Sequence, residues 1–146
     1  MAINYSQIRS AGEHFMARIL VTEDDEAVRA FVTRALEMEG HEVVQAEDGE
    51  EGYDQLTEHS GAFDLLLTDI KMPFMDGIAL SRAAASQYPE LKILMMTGFA
   101  DQRERSGGLD KIVIDVVPKP FTLEQIRNAV RNAMNAADEL PLKKAS

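Results

Sequence analysis

A doubly wound parallel α/β sheet is the fold class this chain predicts, and three observations carry it. Short apolar runs bounded by turn residues recur along the chain, the pattern of strands buried on both faces. Segments with apolar residues at helical spacing separate these runs. The connections are short, with no internal repeat or low-complexity tract among the 146 residues. Strands alternating with helices over that length fit one domain with a substantial core.

The elements follow in order. Residues 18–22, Arg-Ile-Leu-Val-Thr, form the first strand, followed by the acids Glu23, Asp24, Asp25 and Glu26. Val28, Phe31, Val32, Ala35 and Leu36 recur at helical spacing, and Gly40 closes that helix. Residues 42–46 give a second strand, and Glu47-Asp48-Gly49 turns into a weaker helix over 50–58 with Tyr53 and Leu56. The third strand covers 63–68 and stops at Asp69, before a Pro73…Asp76-Gly77 turn signal. An Ala-rich helix over 77–87 ends before Pro89, and 92–97 is the fourth strand. Residues 101–106 read as a short helix cut off by Gly107-Gly108, and 112–117 as the fifth strand. Thr122 and Gln125 form a capping-box pattern opening the last helix, which carries Ile126, Val130, Ala133 and Ala137 on one face. Right-handed crossovers then favour a flavodoxin-like strand order, 2-1-3-4-5. The domain spans 17–137, between an N-terminal extension (1–16) and a tail (138–146).

Composition excludes several functions. Cysteine is absent, which removes disulfides, thiolate catalysis and Cys-based metal sites. A formal charge of −10 argues against nucleic-acid binding. Arg127, Arg131, Lys143 and Lys144 are the notable basic cluster and read as a solvated face. No stretch suits membrane insertion and no signal peptide is visible, so the expected compartment is the cytoplasm. His14, His41 and His59 lack ligand spacing and read as surface or loop residues, and Met95 and Met96 as core filling.

Ligands of open parallel sheets bind outside the carboxyl ends of the strands. With strands 1 and 3 adjacent, Glu23 and Asp24 lie close to Asp69. Three carboxylates at one edge repel unless a cation joins them, and Mg²⁺ suits such oxygen ligands better than Ca²⁺. Taken alone, an acid pair after a strand more often serves the N-terminus of the next helix. Thr97 ends strand 4, and Lys119 follows strand 5 between Pro118 and Pro120. Acids, a hydroxyl and an ammonium at one edge can hold Mg²⁺ and a phosphoryl group together.

Over about 17–137 the chain resembles the receiver domain of two-component response regulators. The resemblance is carried by Ile19-Leu-Val-Thr-Glu-Asp24, Asp64-Leu-Leu-Leu-Thr-Asp-Ile-Lys-Met-Pro-Phe-Met-Asp-Gly77, Ile93-Leu-Met-Met-Thr-Gly98 and Lys119-Pro-Phe121. Each piece alone is modest; all four in order are highly specific. The resemblance implies that Asp69 accepts a phosphoryl group from a phosphohistidine on a histidine kinase or histidine phosphotransferase. It implies Asp24 as a direct Mg²⁺ ligand, Glu23 mostly through water, and the Lys71 carbonyl as a further ligand. Thr97 then binds a phosphoryl oxygen, and Lys119 pairs with the acceptor or its phosphate. The Lys119–Pro120 bond is expected to be cis. No turnover beyond the protein's own phosphorylation and dephosphorylation is expected.

Two departures fall on the family's output face, around the last strand and the last two helices. Val116 stands where many receivers carry an aromatic ring, so coupling of a ring to Thr97 is not expected. Gly107-Gly108 falls where a helix would continue, at a cost of roughly 1 kcal/mol per glycine. No output domain is expected after Ala137, so the signal passes to a protein partner. Met96-Thr-Gly-Phe-Ala-Asp101 and Asp115-Val-Val-Pro-Lys-Pro-Phe121 resemble the stand-alone CpdR type. That type implies control of substrate delivery to the ClpXP protease, with ClpX as partner and recruitment to the cell pole. A CheY- or DivK-like diffusible phospho-signal, or a phosphorelay intermediate, is the alternative output. A monomer, or a weak dimer on phosphorylation, is expected. Residues 1–15 reflect an upstream start, or Tyr5, Ile8 and Phe15 form an amphipathic turn.

Other classes fit less well. A haloacid-dehalogenase-type phosphatase needs a second Asp where Lys71 stands. A dinucleotide site needs a glycine-rich turn where Glu23-Asp24-Asp25 stands. A structural receiver without phosphorylation is disfavoured because every expected site position is filled.

Overall fold

The computed structural model describes residues 16–98 and 109–136. Within them β1 (Arg18–Thr22), β2 (Glu42–Ala46), β3 (Leu65–Asp69), β4 (Lys92–Thr97) and β5 (Asp115–Pro118) form a parallel sheet. The order is β2-β1-β3-β4-β5, as the sequence predicts. The connecting helices are α1 (Glu26–Met38), α2 (Gly49–Glu58) and α3 (Gly77–Gln87), and α4 (Leu123–Asn135) follows β5.

The continuous apolar runs are explained by helices on both faces. Ile19, Val21, Leu65, Leu67, Leu94 and Met96 meet Val32 and Leu36 of α1 and Ile126 and Val130 of α4. The alternate residues Leu20, Leu66, Ile93 and Met95 meet Leu56 of α2 and Leu80 and Ala84 of α3. Each large side chain so buried contributes about 1.5–3 kcal/mol. The two central methionines are core residues, both essentially inaccessible.

Each helix starts at the carboxyl edge of the sheet with a capping side chain: Asp25, Asp48, Asp76 and Thr122. Such a cap stabilises a helix by about 1 kcal/mol. The Thr122–Gln125 capping box is present in both directions, at 2.8 and 3.0 Å.

Three expectations need correction. The fifth strand begins at Asp115 rather than 112: Leu109–Lys111 is a short 3₁₀ turn, and Val113 is buried from the connection that follows it. Phe31 is not a core residue; it is 40% exposed and stacks on Phe121 with ring centroids 6.3 Å apart. Arg127 and Arg131 are not a merely solvated face. Arg127 Nε donates to the Ala35 carbonyl, and Arg131 Nη2 lies 2.6 Å from Glu39 Oε1, tying α4 to α1. His41 is half-buried, its Nδ1 accepting from the Ala17 N–H, and His59 meets the Phe63 ring edge-on. The helix at 101–106, Gly107-Gly108, His14, residues 1–15, Ala137 and the tail with Lys143 and Lys144 lie outside the described residues.

Candidate functional site

Three consecutive acids leave β1, and the fold separates their tasks. Asp25 caps α1, accepting from the Ala27 and Val28 N–H groups at 2.9 and 3.1 Å. Glu23 is fully buried; its Oε2 accepts from the Asp25 N–H, and its Oε1 lies 2.8 Å from Lys119 Nζ. Asp24 is exposed at the rim. The neighbouring β3 ends in Asp69, only 5% exposed. Ligand oxygens of Glu23, Asp24 and Asp69 lie within 4.8 Å of one another.

Lys119 reaches this group from the end of β5. Its N–H donates to the Thr97 carbonyl at 2.7 Å, and the Lys119–Pro120 bond is cis, as expected. Its ammonium donates to Glu23 and stands 3.1 Å from Asp69 Oδ1. Asp69 Oδ1 itself lacks a directed hydrogen bond among the described residues. The ammonium thus pairs with both acids, more closely with Glu23 at 2.8 Å than with Asp69 at 3.1 Å. Burial pushes the Glu23 carboxyl above its ordinary range, more than the Lys119 hydrogen bond lowers it. Asp24 is raised for the same first reason, with Glu23 beside it adding to the shift. For Lys119, burial opposes the charge, but the Glu23 hydrogen bond and the Asp69 and Glu23 charges outweigh it, and the pKa rises.

The sheet register places the remaining candidates. Asp69 pairs with Met96 and Thr97 with Pro118, so Thr97 lies one step past Asp69 on the adjacent strand, almost fully buried. Lys71 is exposed in the loop after β3. That loop is closed at its base, where the Gly77 N–H donates to the Ile70 carbonyl at 2.7 Å. Asp69, Glu23, Asp24, Thr97 and Lys119 thus share one edge, with Lys71 two residues beyond Asp69 at the end of β3.

Sequence reading missed three supports. A Cβ at Gly77 would sit 1.8 Å from the Asp69 carbonyl oxygen, so only glycine permits this approach. The Thr22 and Thr68 hydroxyls bond to each other, and Thr68 donates to the Asp69 carbonyl at 2.9 Å. Arg29 Nη1 donates to the Glu23 carbonyl at 2.8 Å. The glycine read only as a turn signal. The threonine pair and Arg29 have no local pattern, because their partners are set by strand adjacency and helix direction.

Comparison with known proteins agrees with this geometry. Residues 19–131 match the family described as the response regulator receiver domain. The chain is 41% identical over 122 residues to the response regulator receiver protein CpdR of Brucella abortus, covering 84% of this chain and all of that protein. It is 40% identical over 114 residues to the response regulator MprA of Mycobacterium avium, covering 78% of this chain and about half (49%) of MprA. A receiver domain structure from Clostridium thermocellum superposes with a TM-score of 0.77 at 28% identity, over 85% of this chain and 98% of that one. A CheY-like receiver from Methanospirillum hungatei gives the same TM-score, identity and coverage. The strand order, the carboxyl-edge acids and these matches converge: the chain belongs to the response regulator receiver domain family of two-component signalling.

Proposed function

We propose that Asp69 accepts a phosphoryl group from a phosphohistidine and that its state switches a protein–protein interaction. One observation carries this reading: a nearly buried carboxylate at a strand end, with an ammonium at 3.1 Å and two further acids close by. Three carboxylates face one lysine, and an Asp69 oxygen lacks a directed partner among the described residues. That donor set fits a hard divalent cation. Asp24, Asp69 and the Lys71 carbonyl would hold Mg²⁺, with Glu23 acting mostly through water. When bound, the ion offsets charge on the phosphoryl oxygens.

An Asp69 carboxylate oxygen bonds to phosphorus as the P–N bond to the donor imidazole breaks, its electron pair returning to nitrogen. Lys119 stabilises charge on the transferring group, and Thr97 holds a phosphoryl oxygen. The acyl phosphate brings new charge and acceptor oxygens to the edge. Movement of Thr97 toward it shifts the end of β4 and biases the adjoining surface between two states. Val116 cannot serve as a rotating ring there; it is half-buried beside Met95 and packs with the α2–α3 side of the core.

The test is incubation with Mg²⁺ and acetyl phosphate, read by intact mass. One phosphoryl group should add to the wild type and none to Asp69→Asn. Absence of addition, or equal addition to both, contradicts the reading. The likeness to CpdR over its whole length favours a partner-directed output, with ClpX of the ClpXP protease as the candidate. Pull-downs with ClpX in the ion-free and beryllofluoride-bound states should differ; identical capture in both removes that output.

A further inference from the structure

The loop after Asp69 carries a residue that phosphoryl chemistry does not use. Phe74 is 83% exposed, more than any other large apolar side chain among the described residues. Its backbone lies at φ 69°, the left-handed region that glycine and asparagine tolerate and a bulky side chain resists. Phe74 is thus unfavourable twice, in its backbone and in its exposed ring. Exposure of that order leaves little room for compensating packing within the fold.

The loop holds the ring in that position. The Met75 N–H donates to the Pro73 carbonyl at 2.8 Å, a tight turn centred on Phe74. The Met75 carbonyl lies against Gly49, where a Cβ would come within 1.9 Å of it, so the loop is pinned to the start of α2. The Gly77–Ile70 hydrogen bond pins the other end beside Asp69. Phe74 is therefore presented outward from a braced loop whose base adjoins the acceptor strand.

A small acyl phosphate can reach Asp69 without touching this loop. A phosphohistidine on a protein cannot come so freely: in-line transfer requires the donor surface to cover the strand ends and adjoining loops. Aromatic side chains held in place before binding make strong interface anchors, since little side-chain entropy is lost on docking. We propose that Phe74 is a specificity-determining contact for the protein donor, seated against an apolar patch beside the donor's histidine. This rests on the reading of Asp69 as phosphoacceptor and adds how its protein donor is selected.

Phe74→Gly and Phe74→Asn delete the ring while accepting the backbone angle; Phe74→Leu and Phe74→Trp keep apolar bulk. Each is compared with the wild type in two assays. One is labelling by acetyl phosphate. The other is transfer from a panel of purified, phosphorylated histidine kinase cores and histidine phosphotransferases. Transfer from the most efficient donor should fall at least about tenfold for Gly and Asn and stay within about threefold for Leu and Trp, the pattern of an apolar hot spot. Acetyl phosphate labelling should stay within about twofold for all four, since that donor does not need the loop. Equal transfer to wild type and Phe74→Gly overturns the proposal, as does wild-type labelling by acetyl phosphate with no transfer from any phosphohistidine donor. Sedimentation showing self-association lost in Phe74→Gly while donor transfer is intact assigns the ring to a second copy and also overturns it. Failure of acetyl phosphate to label wild-type Asp69 refutes the underlying reading instead.

Discussion

Glu23 carries its charge where solvent scarcely reaches, with a side chain 1% exposed and Lys119 at 2.8 Å. Burial raises its pKa from the ordinary 4.5, and burial also raises Asp24 from 3.8. An acid whose pKa is higher folded than unfolded binds more protons when folded. Its share of stability is full below the unfolded pKa and is lost as pH rises through the folded value. The ion-free edge thus becomes less favourable as these acids ionise above their ordinary values. Cation binding has the opposite pH dependence, because the ligands must be deprotonated. Calorimetric titration should find Mg²⁺ binding weaker near pH 5 than near pH 7.5, with proton release on binding in the acidic range. Equal affinities would falsify the assignment of these raised carboxyls to the cation. Lys119 completes the balance. Its ammonium, 23% exposed, links two buried acids, and breaking a buried pair costs about 3 kcal/mol or more. Lys119→Met should lose about 3 kcal/mol in denaturant melts without the ion, and saturating Mg²⁺ should recover much of it. The same loss with and without Mg²⁺ would show that Lys119 does not share the acids with a cation.

The loop between β3 and α3 turns residue chemistry into element geometry. Gly77 lets that loop fold onto the Asp69 carbonyl, with space for hydrogen and none for carbon. Gly77→Ala presses a methyl into the Asp69–Ile70 backbone, where no flexible side chain can yield, so the loop must shift. Overpacking of this kind typically costs about 1–3 kcal/mol. The variant should fall within that range in denaturant melts and label more slowly with acetyl phosphate. Unchanged stability and labelling would mean the loop can move without disturbing Asp69. Much of this element scale was legible beforehand. The unbroken apolar run at 65–67 announced a strand covered on both faces, and Thr122 with Gln125 announced the start of the last helix. Parallel topology then gathered Glu23, Asp24, Asp69, Thr97 and Lys119 at one edge. The fifth strand was displaced because 112–117 is apolar at every position but Asp115, while only its later part joins the sheet. Val113 is buried from a connection rather than a strand, and hydrophobicity alone cannot separate those cases. Gly77 escaped because its close neighbour is a backbone oxygen, which leaves no trace in side-chain pattern.

At the scale of the molecule, contacts across helices depend on which of them share a face. Arg127 and Arg131 reach α1 because α1 and α4 cover the same side of the sheet, a relation absent from either helix's own sequence. Net charge is a property of the whole chain and was legible from the start: 25 acids against 15 lysines and arginines, −10 in total. That field should add to local attraction for Mg²⁺ at the carboxyl edge. Glu37, Glu58 and Glu90 are exposed in segments at the opposite end of the sheet. A five-residue strand at about 3.3 Å per residue, with flanking loops, puts them roughly 15–20 Å from the site. Each then attracts a divalent ion by about 0.5 kcal/mol in unscreened water. The Debye length is about 30 Å at 10 mM salt and about 8 Å at 150 mM, so the contribution survives in the first condition and nearly vanishes in the second. Replacing all three with Gln should weaken Mg²⁺ about three- to fourfold at 10 mM salt and less than about 1.5-fold at 150 mM. Calorimetry at the two ionic strengths measures both. The same weakening in each would mean that the substitutions disturb the site through the fold, because a field acting across that distance must fade as salt rises.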